Sequence, residues 1–198
     1  MDLPALLPLA GEPPAERADA ARNREALLRA AAELIDHCSV ENVTMDAVAQ
    51  RAGVGKGTVF RRFESREGLM AALVNHSETA WQAAVISGPP PLGPGADPLD
   101  RLLAFGHSRI ETTLRHAALI RAAGRAGSRA FAAASFTAMH VRYLLRELDV
   151  EGDLGYLATA LLAPLEIPIL EQQVELEHMP VEQIHAGWDD LVRRLLRT

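Results

Sequence analysis

Residues 43 to 66, Val-Thr-Met-Asp-Ala-Val-Ala-Gln-Arg-Ala-Gly-Val-Gly-Lys-Gly-Thr-Val-Phe-Arg-Arg-Phe-Glu-Ser-Arg, leave the backbone few options. Thr44 is placed as an N-cap, its hydroxyl accepting from the backbone N–H of Asp46 or Ala47. Val43 and Val48 then occupy the two ends of a hydrophobic staple. Gly53 ends this helix near Arg51 or Ala52, as a glycine at positive φ does. A second short helix starts at Gly55 or Lys56 and runs to about Phe63. Ala49 and Gly53 remove the bulk that would hold the two helices apart. Val48, Val54 and Val59 supply an apolar seam, and Phe63 locks it. The pattern is a helix-turn-helix, whose second helix is free to enter a major groove with its N-terminal residues leading.

Charge agrees with that reading. The chain carries a formal charge of −6 and a pI near 5.6, and Lys56 is its only lysine. Between residues 51 and 66, Arg51, Lys56, Arg61, Arg62 and Arg66 face a single acid, Glu64. A cationic strip on an acidic protein implies a polyanionic partner at that strip rather than bulk coating of nucleic acid.

With 198 residues, 48% of them hydrophobic, the chain can bury a core, and its wealth of alanine, leucine and arginine favours helix. Residues 1 to 18 read as a flexible arm broken by Pro4, Pro8, Pro13 and Pro14. A helix follows from about Ala20 to Cys38, with Leu27, Leu34 and Cys38 on one face. The lone Cys38 excludes an intrachain disulfide and reads as a small buried side chain. Ser65 caps a fourth helix that runs to about Ile86. Gly88 to Pro98 holds five prolines and three glycines in eleven residues, the clearest break in the chain. Helices at about Leu99–Arg115, His116–Ala123, Ser128–Leu148, Asp153–Leu176 and Pro180–Leu196 complete an all-α fold of about nine. Pro164 and Pro168 lie inside the eighth and should kink or split it. No signal peptide and no apolar run of membrane-spanning length is read, so the expected address is the cytoplasm. No His-x-x-x-His pair, nucleophile elbow or phosphate-binding loop is present, so no metal, cofactor or catalytic residue is assigned.

The stretch Thr44-Met45…Ala49…Ala52-Gly53-Val54-Gly55-Lys56-Gly57-Thr58-Val59-Phe60-Arg61-Arg62-Phe63…Ser65-Arg66-Glu67-Gly68-Leu69 resembles the TetR family of bacterial transcriptional regulators. The resemblance is strong over about residues 20 to 75. It implies a helix-turn-helix DNA-binding domain at 19–66 and a ligand-binding and dimerisation domain at 67–198. Carried over position by position, Thr44 holds a phosphate at a helix start. Gly55, Lys56 and Thr58 face the groove, and Gly57 lets the backbone approach DNA. Arg61 and Arg62 reach base edges or phosphates, and Ser65 and Arg66 stand at the start of the fourth helix near phosphate. Phe60 stands where the family commonly has tyrosine and offers van der Waals contact only.

The same resemblance implies an effector cavity among helices four to eight and a dimer made by the last two. Candidate cavity liners are Trp81, Val85, Phe105, Ile110, Glu111, Phe136, Met139, His140, Tyr143, Glu166 and Ile169, a mostly apolar set suited to a small hydrophobic molecule. Candidate dimer residues are Leu154, Leu157, Ala158, Leu161, Leu165, Trp188, Leu191 and Leu195, in a four-helix bundle between two copies. The expected protein is a homodimeric repressor released from a palindromic operator by its effector. An activator or partner-responsive regulator of the same fold, or a helical lipid-like-ligand-binding protein or enzyme, are the alternatives.

Overall fold

The computed structural model describes residues 15–124 and 131–196. Most of the expected arm, residues 1–14, and the expected start of the seventh helix at Ser128 lie outside them. The chain divides into two compact units, Met1–Arg66 and Glu67–Thr198. No strand occurs among the described residues.

The first unit holds three helices: α1 (Ala15–His37), α2 (Met45–Arg51) and α3 (Lys56–Phe63). α1 begins five residues earlier than the apolar pattern indicates, because Ala15 to Asp19 are compatible with helix but carry no apolar face. Leu27, Leu28, Ala30 and Ala31 of α1 are buried with Val43, Met45, Val48, Ala49, Val59 and Phe63. Both staple valines, Val43 and Val48, are fully enclosed. Val54 is 36% exposed and so lies outside the seam assigned to it. Cys38 is only half-buried, with Sγ donating to the Leu34 carbonyl at 2.9 Å.

The second unit holds α4 (Arg66–Ser87, starting at the last residue of the first unit), α5 (Pro98–Arg115), α6 (Ala117–Ala123), α7 (Phe131–Glu147), α8 (Leu154–Leu162), α9 (Ile167–Glu171) and α10 (Val181–Leu195). The break between α4 and α5 falls where the proline run places it. Asp97 caps α5 by accepting from the Leu99 N–H at 2.9 Å, and Pro98 takes the first helical position, where a missing N–H costs nothing. The expected eighth helix is split, which makes ten α-helices among the described residues. Pro164 opens a 3-10 turn at Ala163–Leu165, Glu166 is extended (φ −78°, ψ 145°), Pro168 stands in the first turn of α9, and a π-helical turn follows at Gln172–Leu176. Each proline starts a segment instead of interrupting one.

Leu102, Phe105 and Ile110 of α5 pack in one core with Val141, Leu144 and Leu145 of α7, Ala158 and Leu161 of α8, and Ile184, Trp188 and Val192 of α10. Gly106 of α5 lies directly against Trp188 of α10. A Cβ there would sit 1.9 Å from the Trp188 ring, so only glycine admits the indole.

Candidate nucleic-acid interface

The two short helices are punctuated by backbone chemistry that the sequence specifies. Thr44 Oγ1 accepts from the Ala47 N–H at 3.1 Å, and Thr44 itself is exposed. At the other end of α2, Gly53 (φ 68°) closes a Schellman motif: its N–H donates to the Gln50 carbonyl at 3.2 Å, and the Val54 N–H to the Ala49 carbonyl at 3.0 Å. Gly55 is the N-cap of α3. Glu64 follows α3 with φ 64°, a left-handed conformation that a non-glycine residue adopts at a cost. Its N–H donates to the Phe60 carbonyl at 2.7 Å, and the Ser65 N–H to that of Phe63 at 2.7 Å, which turns the chain sharply into α4.

On α3, Val59 and Phe63 point into the core, while Lys56, Gly57, Phe60, Arg61 and Arg62 are exposed and Thr58 is half-buried. A Cβ added to Gly55 or Gly57 would meet nothing within 4 Å. The fold therefore does not require glycine at either position, and the bare backbone faces outward. Lys56 Nζ lies 5.6 Å from the centroid of the Phe60 ring, which is 40% exposed.

Counting charges within the 51–66 window overstates the free cations. Lys56 pairs with Asp46 of α2 at 2.8 Å, and Arg51 with Glu33 of α1 at 2.7 Å. Arg66 is half-buried and donates through Nε to the Val43 carbonyl at 2.9 Å and through Nη2 to that of Val40 at 2.6 Å. It ties down the entry to α2, the very segment whose cap is Thr44. Ser65 is half-buried beside it. Arg62 leans toward α1, with Nη2 donating to the Ala20 carbonyl at 3.2 Å. Thr58, Arg61 and Arg62 form one wall of a cleft whose other wall is Ala20, Asn23, Arg24 and Leu27 of α1. Arg24 and Asn23 were not picked out in the sequence. The available signal was their spacing from Ala20 and Leu27, which puts all four on one face of α1.

Residues 27–73 match the family model described as bacterial regulatory proteins, tetR family. The match runs from α1 into α4. A Staphylococcus aureus (strain USA300) protein named as an HTH-type transcriptional regulator is 38% identical over 53 residues, covering 27% of this chain and 29% of the relative. The match thus spans under a third of the curated relative's length. Among solved structures, a TetR transcriptional regulator from Rhodococcus sp. RHA1 superposes with a TM-score of 0.59 at 22% identity, over 89% of this chain and 97% of that one. The fatty acid degradation regulator FadR from Bacillus halodurans does so with a TM-score of 0.59 at 13% identity, over 92% and 96%. The fold is that of these solved TetR-family structures, and the segment 27–73 is similar in sequence to the family's model.

In the second unit, five of the expected cavity liners meet as rings. Trp81 lies 5.2 Å from Phe105 and 6.3 Å from Phe136, His140 stacks on Phe105 at 5.4 Å and Phe136 at 6.0 Å, and Tyr143 lies 6.2 Å from His140. Val85 is buried in the same core. Burial, with a smaller push from Arg101, lowers the His140 pKa to about 4. Burial also lowers the pKa of His116. Beside the rings, Arg109 is buried against Glu78 at 2.8 Å and lies 4.7 Å over Trp81, an ion pair the sequence did not reveal. Glu111, Met139 and Ile169 are exposed and stay outside the ring cluster, and Glu166 is the half-buried residue before α9. A groove of about 520 Å³ lies elsewhere, between Ile110, the 3-10 turn at Pro164 and Leu165, and Gln183, Ile184, Gly187, Trp188 and Leu191 of α10. Of the expected liners it includes only Ile110.

Half of the expected dimer residues are buried within the single chain. Ala158, Leu161, Leu165 and Trp188 are at most 3% exposed within the single chain and belong to its own core. Leu154, Leu157 and Leu195 are half-buried, and Leu191 is 39% exposed. α8 presents Tyr156, Thr159 and Ala160 to the outside, and Ala163 follows them at the start of the 3-10 turn. Among the described residues no single helix is long and apolar enough to cross a membrane.

Proposed function

We propose that the protein is a sequence-specific, DNA-binding transcriptional regulator that works as a homodimer on a palindromic operator, as a repressor released by a small apolar effector. The observation that carries the DNA-binding part is the outer face of α3. It offers bare backbone at Gly55 and Gly57 and sets Lys56, Phe60 and Arg61 beside it. A helix with bare backbone at Gly55 and Gly57 of its exposed start is suited to close approach by a groove, with arginine able to read guanine O6 and N7. Thr44, exposed at the start of α2, is placed to hold a phosphate. Arg66 acts in this reading by fixing the α2 entry through the Val43 and Val40 carbonyls. For the effector, the groove beside α10 is favoured over the ring cluster, whose side chains occupy the space between them. Its volume falls in the range of small-molecule sites.

The test is fluorescence anisotropy with fragments of the DNA upstream of the chain's own gene. One fragment is expected to bind with a steep negative salt dependence. Arg61→Ala should weaken that binding by about 1–3 kcal/mol and relax the preference at one base pair per half-site. Absence of binding to every fragment at low salt would refute the reading.

A further inference from the structure

Once Arg51, Lys56 and Arg66 are seen to be engaged within the fold, the charge of the first unit has a different centre. Arg24, Arg61 and Arg62 line one cleft of about 320 Å³ between α1 and α3, and no acidic residue lines it. The ion pairs Arg22–Asp19, Arg51–Glu33 and Lys56–Asp46 involve none of the three. The cleft is built by two helix faces at regular spacing, 20, 23, 24 and 27 on α1 and 58, 61 and 62 on α3, so its shape is set by the packing of the helices. Arg24 is half-buried on its wall. Asn23 and Thr58 add neutral hydrogen-bonding groups. Three guanidinium groups around a polar recess repel one another until an anion enters, and a phosphodiester matches their donor geometry.

We infer that this cleft is a second DNA-contact site, in which Arg24 of α1 takes a backbone phosphate flanking the segment met by α3. The inference rests on the DNA-binding reading above. It commits to duplex DNA and not to a free phosphate compound because Arg61 belongs at once to the cleft wall and to the exposed face of α3. A strand lying along α3 therefore brings its phosphates past the cleft mouth. Phosphate contacts of this kind fix the register of a reading helix and carry no base preference themselves.

The full chain would be titrated with a mixed-sequence duplex of about 30 bp, from roughly 50 to 200 mM salt. Arg24→Ala is expected to weaken binding several-fold at low salt and to reduce the slope of log K against log salt by about 0.9, the loss of one phosphate contact. Arg24→Lys, which keeps the charge, should retain most of the slope. Arg29→Ala, on α1 but outside the cleft lining, should match the wild type, and thermal melting of each variant separates lost contact from lost fold. An unchanged slope for a folded Arg24→Ala would overturn the inference and leave the DNA-binding reading standing. So would tight calorimetric binding of pyrophosphate that needs Arg24 while the duplex slope ignores it, since the cleft would then serve a small phosphate ligand. If the wild type binds no duplex, the DNA-binding reading and this inference fall together.

Discussion

Gly57 separates what the fold needs from what a partner needs. Its absent side chain would meet nothing, so alanine fits the free protein and helix propensity favours it by up to about 1 kcal/mol, less near a helix start. The same methyl would hold DNA away from the backbone. Gly57→Ala is therefore expected to melt at or above the wild-type temperature while losing at least tenfold in duplex affinity, roughly 1.4 kcal/mol; unaltered affinity would remove this face from the interface. Lys56 makes the complementary case. Its pair with Asp46 is solvent-exposed and contributes at most about 1 kcal/mol to folding. Asp46→Asn should leave melting nearly unchanged while strengthening non-specific DNA binding and steepening its salt dependence, because it removes a competing anion. The caps, the staple and the Gly53 closure were legible in the sequence because each is made by residues within a few positions of one another. The counter-ions were not: Glu33 lies 18 residues from Arg51, and Asp46 lies 10 residues from Lys56. Only the packing of three helices brings those charges together.

At the level of elements, what could be read depended on contrast between helix faces. α3 places Val59 and Phe63 inward against a charged exterior, and its orientation follows directly. α8, Leu-Gly-Tyr-Leu-Ala-Thr-Ala-Leu-Leu, has no charged residue on any side. Periodicity alone does not say which stripe is core, and it offers Ala158 and Leu161 to a partner copy although their own chain buries them. The glycine on α5 was likewise silent, since its role depends on an indole from α10. Gly106→Ala should lose about 1–3 kcal/mol through overpacking against Trp188, more than the helix-propensity gain returns. Chemical denaturation would show the loss as a lower midpoint at constant slope, and tryptophan emission would report the displaced ring. An equally stable variant would mean that α5 and α10 are not in this contact.

Stability as a function of pH is a property of the whole fold, and His140 supplies one contribution with a definite sign. Its folded pKa, about 4, lies below the ordinary 6.5, so between those values the unfolded chain binds more protons. The stability it confers is complete above about pH 6.5, declines as pH falls through that window, and is gone below about 4. His140→Phe, which keeps a ring between Phe105 and Phe136, should flatten the fall in melting temperature between neutral and acidic pH. His116, also lowered by burial, leaves part of the fall in place. Assembly is the larger question at this scale. Tyr156, Thr159 and Ala160 on the outer face of α8 and Ala163 just after it recur at three- and four-residue steps, with Tyr156 74% exposed. Small residues flanked by an exposed aromatic let a second helix approach closely, and a palindromic operator requires two reading heads about 34–36 Å apart. In a two-fold dimer this patch faces the same patch of its partner. Ala160→Glu would then bring two buried like charges together, while a single chain carries the same glutamate in water at no cost to its core. Sedimentation at micromolar concentration is expected to give a dimer for the wild type and a folded monomer for Ala160→Glu. The monomer should also lose the cooperative part of operator binding and keep only half of the salt dependence. A variant that still sediments as a dimer would place the interface elsewhere, with the exposed Leu191 of α10 the next position to test.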